Sequence, residues 1–307
     1  MSLRACSRLL CLILLITTMA ASAQDHTAPM ELRHNLPFVQ VMVNGKGPFT
    51  FGIDTGTGGQ ALVTSALVQE LALPVVGEAE VGDPSGRNPK KASISKIATL
   101  TVAGVQFKDV NAVQFQPSPR EGQIDGILGF VLFRDYLMTL DYPGQRLTLA
   151  TGTLKPDGGK MVVSFTMPHD VPTVELSVGS RSIDAHLDSR GLGLSFPEKF
   201  ADGLKFASDP IVLGRGRTVS NEFEIKGAQL AGDVRLGQYT FPNPFVEINP
   251  VLPLANFGAI PLQNFAVTFD QKNLLLRLEA KDKNIVIAAP QRRPAAASGI
   301  HPPASSH

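Results

Sequence analysis

Two aspartates carry surroundings that suit acid–base chemistry. The first lies in Phe51-Gly52-Ile53-Asp54-Thr55-Gly56 and the second in Ala185-His186-Leu187-Asp188-Ser189-Arg190, at an offset of 134 residues. Each follows a short apolar run and opens a turn. A carboxylate at the end of a strand, in a glycine-rich turn, accepts hydrogen bonds from N–H groups that only a bare backbone brings close. Two such carboxylates a few ångströms apart cannot both ionise easily, so the pair holds one proton. The ionised partner can then take a proton from a water while the protonated one stabilises a developing oxyanion. Such a pair titrates as a unit.

The two turns differ. Ser189 can do with its hydroxyl what Thr55 does, but Arg190 stands where the first turn has Gly56. A side chain there is strained if the turn needs a positive φ. A cation beside the pair also favours two ionised carboxylates over a shared proton. Three other readings stay open. The glycine has slipped to Gly191 or Gly193 with the turn rebuilt, Arg190 faces solvent, or Asp188 is a structural relic of a duplicated position.

The elements that must position these turns recur with them. At the offset of 134, Phe107 falls against Phe241, and Pro37 falls against Pro172 one residue adrift. Beyond an extra loop at Pro117 to Gly122 the offset becomes 129, setting Gly129 against Gly258, Thr139 against Thr268 and Asp141 against Asp270. Two merely similar hairpins would not share several landmarks at one spacing. Short alternating runs rich in β-branched and aromatic residues, such as Phe38 to Val43 and Val171 to Val178, predict strands, punctuated by Gly, Pro, Asn and Asp. Thr64 to Leu71 predicts a helix capped by Thr64 or Ser65. Pro197 to Leu204 predicts another, with Ser195 and Glu198 at capping-box spacing. Pro143-Gly144 suits a type II turn. The class is all-β with small helices. Residues 30–153 and 160–283 form two lobes, closed and barrel-like, joined by a flexible Pro/Gly-rich stretch from Thr153 to Lys160.

Asp54-Thr55-Gly56, with Ile127-Leu128-Gly129 downstream, resembles the pepsin/retropepsin-type aspartic peptidases. Asp125 to Gly129, leading into Phe133-Arg134-Asp135-Tyr136 and Leu140-Asp141-Tyr142, is especially similar to bacterial aspartyl-protease-like families. The resemblance implies a water-mediated attack on a scissile amide by Asp54 and Asp188. It implies that Thr55 braces the two turns, that Gly56 is the turn glycine, and that Gly129 packs under the catalytic turn. It also implies a covering hairpin, for which Val81 to Lys91 is the candidate. The second copy departs again at Asn256-Phe257-Gly258, which lacks its first apolar residue.

Composition narrows the setting. Arg4 and Arg8, an apolar stretch from Leu9 to Ala20 and Ala21-Ser22-Ala23 predict a signal peptide over 1–23, with export to the periplasm or outside. Both cysteines fall inside it, so the remainder has no thiol. Without the two signal arginines, 26 Lys and Arg face 27 Asp and Glu, which argues against nucleic acid and charged membranes as partners. No other apolar run is long enough to span a membrane. His34, His169 and His186 lack ligand spacing, so neither metal nor cofactor is expected. His186 shares a strand face with Asp188. Residues 288–307, rich in Pro, Ala and Ser, read as a disordered tail. Three functions follow: an aspartic endopeptidase acting on peptide or unfolded protein, a peptide-binding module of the same fold that does not cleave, or a homodimer pairing Asp54 with Asp54. The chain is thus a monomer or a homodimer.

Overall fold

A computed structural model describes residues 25–82, 89–117, 123–217 and 222–289. The expected signal segment, nearly all of the tail and the tip of the candidate covering hairpin lie outside them. Strand dominates throughout. β1 (His26–Pro29), β2 (Glu31–Arg33), β3 (Leu36–Val43), β4 (Lys46–Asp54) and β5 (Ala61–Thr64) lead into α1 (Ser65–Leu71). There follow β6 (Val75–Val81), β7 (Lys90–Val102), β8 (Val105–Phe115), β9 (Gly126–Gly129), β10 (Leu137–Asp141) and β11 (Arg146–Ala150). The second half holds β12 (Val162–Ser164), β13 (Thr173–Val178), β14 (Arg181–Leu187), β15 (Leu194–Pro197), α2 (Glu198–Ala201), β16 (Ile211–Arg217) and β17 (Glu222–Gln229). It closes with β18 (Val234–Leu236), β19 (Tyr239–Phe241), β20 (Phe245–Asn249), β21 (Ala255–Phe257), α3 (Ala259–Leu262), β22 (Ala266–Asp270) and β23 (Leu275–Glu279).

These strands form three sheets. The first half builds an eight-stranded sheet, β2-β3-β4-β9-β5-β8-β7-β6, which curls until β3 also pairs with β7. The second builds a nine-stranded sheet, β16-β17-β20-β15-β21-β14-β13-β18-β19. The two halves share a six-stranded sheet, β1-β11-β10-β22-β23-β12. At its centre β10 and β22 pair antiparallel with Thr139 directly opposite Thr268, and their hydroxyls hydrogen-bond at 2.9 Å. Thr139 and Thr268, set against each other by the sequence repeat, are therefore neighbours across this seam, whereas the antiparallel register puts Asp141 opposite Ala266 and not opposite Asp270.

One contiguous apolar core runs through both halves. Under the shared sheet, Phe130 and Phe269 meet edge to face with ring centroids 5.0 Å apart, and Phe165 joins them. Each such side chain, fully withdrawn from water, contributes roughly 1.5–3 kcal/mol. Without thiols, burial of this kind holds the described fold together.

Local details separate what the sequence expressed from what packing decided. α1 forms as its cap predicts, with Thr64 Oγ1 accepting from the Leu67 N–H at 3.2 Å. α2 is a single short turn whose N-cap is Pro197. Ser195 is no cap, because it lies in β15 and its hydroxyl donates to Glu247 Oε2 at 2.8 Å. The hairpin after β10 is not a type II turn. Gly144 keeps a negative φ, and the left-handed residue is Gln145 at φ 49°. A Cβ on Gly144 would collide with the Asp141 carboxylate, which accepts the Gly144 N–H at 2.8 Å. The stretch from Thr153 to Lys160 has no regular structure but is tied down. Asp270 accepts the Leu154 N–H at 2.9 Å, and the Asp157 carboxylate accepts three N–H groups from Lys160, Met161 and Val162.

Candidate active site

Alternation along β4 turns Phe51 and Ile53 into the core and leaves Gly52 and Asp54 on the opposite face. β9 runs parallel beside it, with Ile53 opposite Leu128 and Asp54 opposite Gly129. The Gly129 N–H donates to Gln60 O at 2.9 Å. A Cβ at Gly129 would overlap the Gly59 carbonyl, so only glycine lets this strand pass under the turn. The turn closes on its own aspartate. Asp54 Oδ1 accepts from the Gly56 N–H at 2.8 Å, and Oδ2 accepts from Thr57 Oγ1 at 2.9 Å.

The second half repeats the geometry. β21 runs parallel to β14 with Leu187 opposite Phe257. Asp188 follows, and its Oδ1 accepts from the N–H groups of Arg190 and Gly191 at 2.9 and 2.7 Å. Gly258 matches Gly129: a Cβ there would stand 2.7 Å from the carbonyl oxygens of Gly191 and Gly193. Asn256, the polar departure, lies beside this turn, where its amide fills the space next to Gly191.

Reciprocal hydrogen bonds latch the two turns together. The Thr55 N–H donates to Ser189 Oγ at 3.0 Å, and the Ser189 N–H donates to Thr55 Oγ1 at 2.9 Å. Thr55 Oγ1 donates to Leu187 O at 2.6 Å, and Ser189 Oγ donates to Ile53 O at 2.8 Å. Both side chains are buried. Each hydroxyl therefore serves at once as donor and acceptor, and each satisfies backbone groups of the opposite half that would otherwise be buried unpaired. Asp54 and Asp188 are brought together as the residues immediately before the latch. A Cβ on Gly56 would stand 2.8 Å from Asp188 Cγ. Residue 56 must be glycine for space, since its φ is not left-handed.

Arg190 sits differently from the sequence expectations. Its φ is not positive, so no backbone strain arises. The Arg190 N–H takes the place matching that of Gly56, while the Gly191 N–H bonds the same Asp188 oxygen and a Cβ on Gly191 would stand 2.6 Å from Asp188 Oδ2, so the second turn keeps its glycine one residue on. Nor does the side chain simply face solvent. It crosses to the first half, where Nη1 packs against Gly52 and Cζ stands 5.4 Å from the Phe38 ring centroid.

The electrostatics follow from burial. Asp54 is pushed up to about 7, first by desolvation and then by the charge of Asp188, against the pull of Arg190, Thr57 and the Gly56 N–H. Arg190 tempers the rise without cancelling it, so the proton the pair needs survives close to neutral pH. Burial, helped by the same two carboxylates, drives the Tyr142 phenol far above its usual range. Burial holds His186 below its ordinary value; Asp188 opposes this and His169 adds to it.

The structure thus gathers Asp54, Thr55, Gly56, Gly129, Asp188, Ser189 and Arg190 at one place. Sequence reasoning passed over Phe38, which backs Arg190, and Tyr142, whose buried phenol feels both carboxylates. The Asp141-Tyr142 pair was visible as part of a motif, but only the fold brings Tyr142 close enough to feel the aspartates, while Asp141 stays with Gly144 and Arg146 in its hairpin. Residues 39–132 match the aspartyl protease family model, a span containing Asp54 and Gly129 and ending before Asp188. The match covers under a third of the chain. No curated protein matches the sequence. Among the described residues no helix is long and apolar enough to cross a membrane.

Proposed function

We propose that the protein is an exported aspartic endopeptidase of two duplicated lobes, cleaving extended peptide or unfolded protein between them. The observation that carries this reading is the reciprocal Thr55–Ser189 latch, with one aspartate entering it from each side. The match of residues 39–132 to aspartyl proteases supports the same chemistry.

The pair shares one proton; drawn with that proton on Asp54, whose carboxyl is pushed up by burial and then by Asp188, Asp54 is the acid and Asp188 the base. A water between them attacks the amide carbon and gives its proton to Asp188, while Asp54 protonates the carbonyl oxygen. The tetrahedral diol then collapses. The C–N bond breaks, the amine leaves with the proton from Asp188, and a diol proton returns to Asp54. A low-dielectric surrounding strengthens each of these charge shifts.

Pairing of Asp54 with Asp54 in a homodimer is the weaker reading, because Ser189 of the same chain already fills the place that a second Thr55 would need. The test uses the mature chain on an unfolded protein substrate from pH 4 to 7.5. Asp54→Asn and Asp188→Asn each abolish pepstatin-sensitive cleavage. A folded wild-type protein that cleaves nothing across that range, yet still binds peptide, is a binding module and not a peptidase.

A further inference from the structure

The reaction written above leaves one buried titratable group beside the latch unused. Tyr142 follows β10 at the seam between the halves, and its N–H donates across the seam to Phe265 O at 3.2 Å. The residue is 2 % exposed. Its phenol oxygen is shut off from solvent and, among the described residues, has no hydrogen bond of ordinary length and angle. A buried hydroxyl left in that state costs free energy that phenylalanine would avoid. Tyr239, the other buried tyrosine, directs its hydroxyl to Leu278 O at 2.8 Å.

The repeat sets Tyr142 against Gln271, each one residue after the aspartate of its hairpin. Both reach into the opposite half. The Gln271 amide donates to Phe130 O at 2.8 Å, and the Tyr142 phenol comes close enough to Ser189 to interact with its hydroxyl. Ser189 Oγ already donates to Ile53 O and accepts from the Thr55 N–H. A hydroxyl has one proton and two lone pairs, so one lone pair of Ser189 is left over, opposite a phenol proton with no other taker. We propose that Tyr142 is a positioning residue of the aspartate pair, its O–H directed to that lone pair of Ser189 so that the serine proton stays on Ile53 O and the latch keeps its register. The charged groups that face the phenol are Asp188 and Asp54, with Arg190 acting on Asp54. Burial and both carboxylates oppose a phenolate, so the group is a neutral donor. A dipole with its positive end towards the carboxylates favours their ionised form and draws the pair's titration down.

The inference rests on the peptidase reading, and Tyr142→Phe tests it, because the ring that fills the core is kept. The alkaline limb of kcat/KM on a peptide should move up by about half a pH unit. The pH at which urea stability changes should move with it, a readout that needs no cleavage. A loss of stability equal at every pH, with the limb unmoved, makes Tyr142 a core ring only and overturns the assignment. Wild-type protein carrying 3-fluorotyrosine gives a second measurement that stands even if the variant does not fold. The Tyr142 fluorine resonance should shift with a midpoint near the pair's value of about 7, and those of Tyr136 and Tyr239 should not. A Tyr142 resonance that stays flat from pH 5 to 9 overturns the assignment. Failure to cleave any peptide, with the stability curve and the fluorine signal moving as stated, takes down the peptidase reading and leaves Tyr142 as the donor beside the pair.

Discussion

Replacing Asp54 by Asn should make the fold more stable at neutral pH, and the size of the effect follows from the site. Folded, the Asp54 carboxyl is raised from 3.8 to about 7. The unfolded chain releases this proton near the ordinary value while the folded chain keeps it. The group's contribution is therefore fully present below about pH 4 and is lost as pH rises through about 7. Roughly three pH units at about 1.4 kcal/mol each set an upper figure of about 4 kcal/mol. Asparagine keeps the shape and an oxygen for the Gly56 N–H but has no proton to lose. The gap between variant and wild type should therefore open from near zero at pH 4 to as much as about 4 kcal/mol at pH 8. Urea unfolding at half-unit pH steps and fixed ionic strength measures it, with two probes to test for a single transition. Parallel stability curves for the two proteins would show that Asp54 does not titrate near neutrality, and the electrostatic account of the site would be wrong.

Ser189→Ala strips a partner from the Thr55 N–H and from Ile53 O; urea unfolding should register a loss of about 2–4 kcal/mol, whereas Ser189→Thr keeps the hydroxyl and most of the stability. Gly56→Ala drives a methyl to within 2.8 Å of Asp188 Cγ; a cost of about 1–3 kcal/mol in thermal or urea unfolding, with loss of cleavage, is expected. Because the pair's proton is held up to about pH 7, kcat/KM on a peptide should fall as pH rises from 6 to 8, and a flat profile there contradicts the shared proton. Arg190 pulls the Asp54 carboxyl down, so Arg190→Gln should move that alkaline limb to higher pH; a shift to lower pH would reverse the assigned sign.

The all-β class and the strand positions were legible because alternation and turn residues are local properties, written where they act. Thr64 announced its helix for the same reason. Ser195 misled because its hydroxyl had a distant competitor in Glu247, and no capping-box spacing reports such a rival. Gly144 was noticed as a turn glycine for its freedom of φ, yet what it supplies is room for Asp141. Around the aspartates the sequence marked both turns by their composition. The fate of Arg190 was hidden, because the vacancy it enters belongs to Gly52 and Phe38 in the other half, and spacing along one segment says nothing of a gap more than a hundred residues away.

The seam through Thr139 and Thr268 bears on when the site comes into being. As the chain is made from its N-terminus, β10 and β11 appear long before β22, their partner in the shared sheet. Half of the latch and one carboxylate exist early, as a solitary aspartate with no neighbour to share a proton. The second turn, at Asp188, emerges 134 residues after the first, β21 beside it only at Ala255–Phe257, and β22 and β23, ending at Glu279, complete the shared sheet last. A chain cut short before Asp188 carries Asp54-Thr55-Gly56 in full and has neither the second carboxylate nor the latch, so the paired site exists only once both halves have been made.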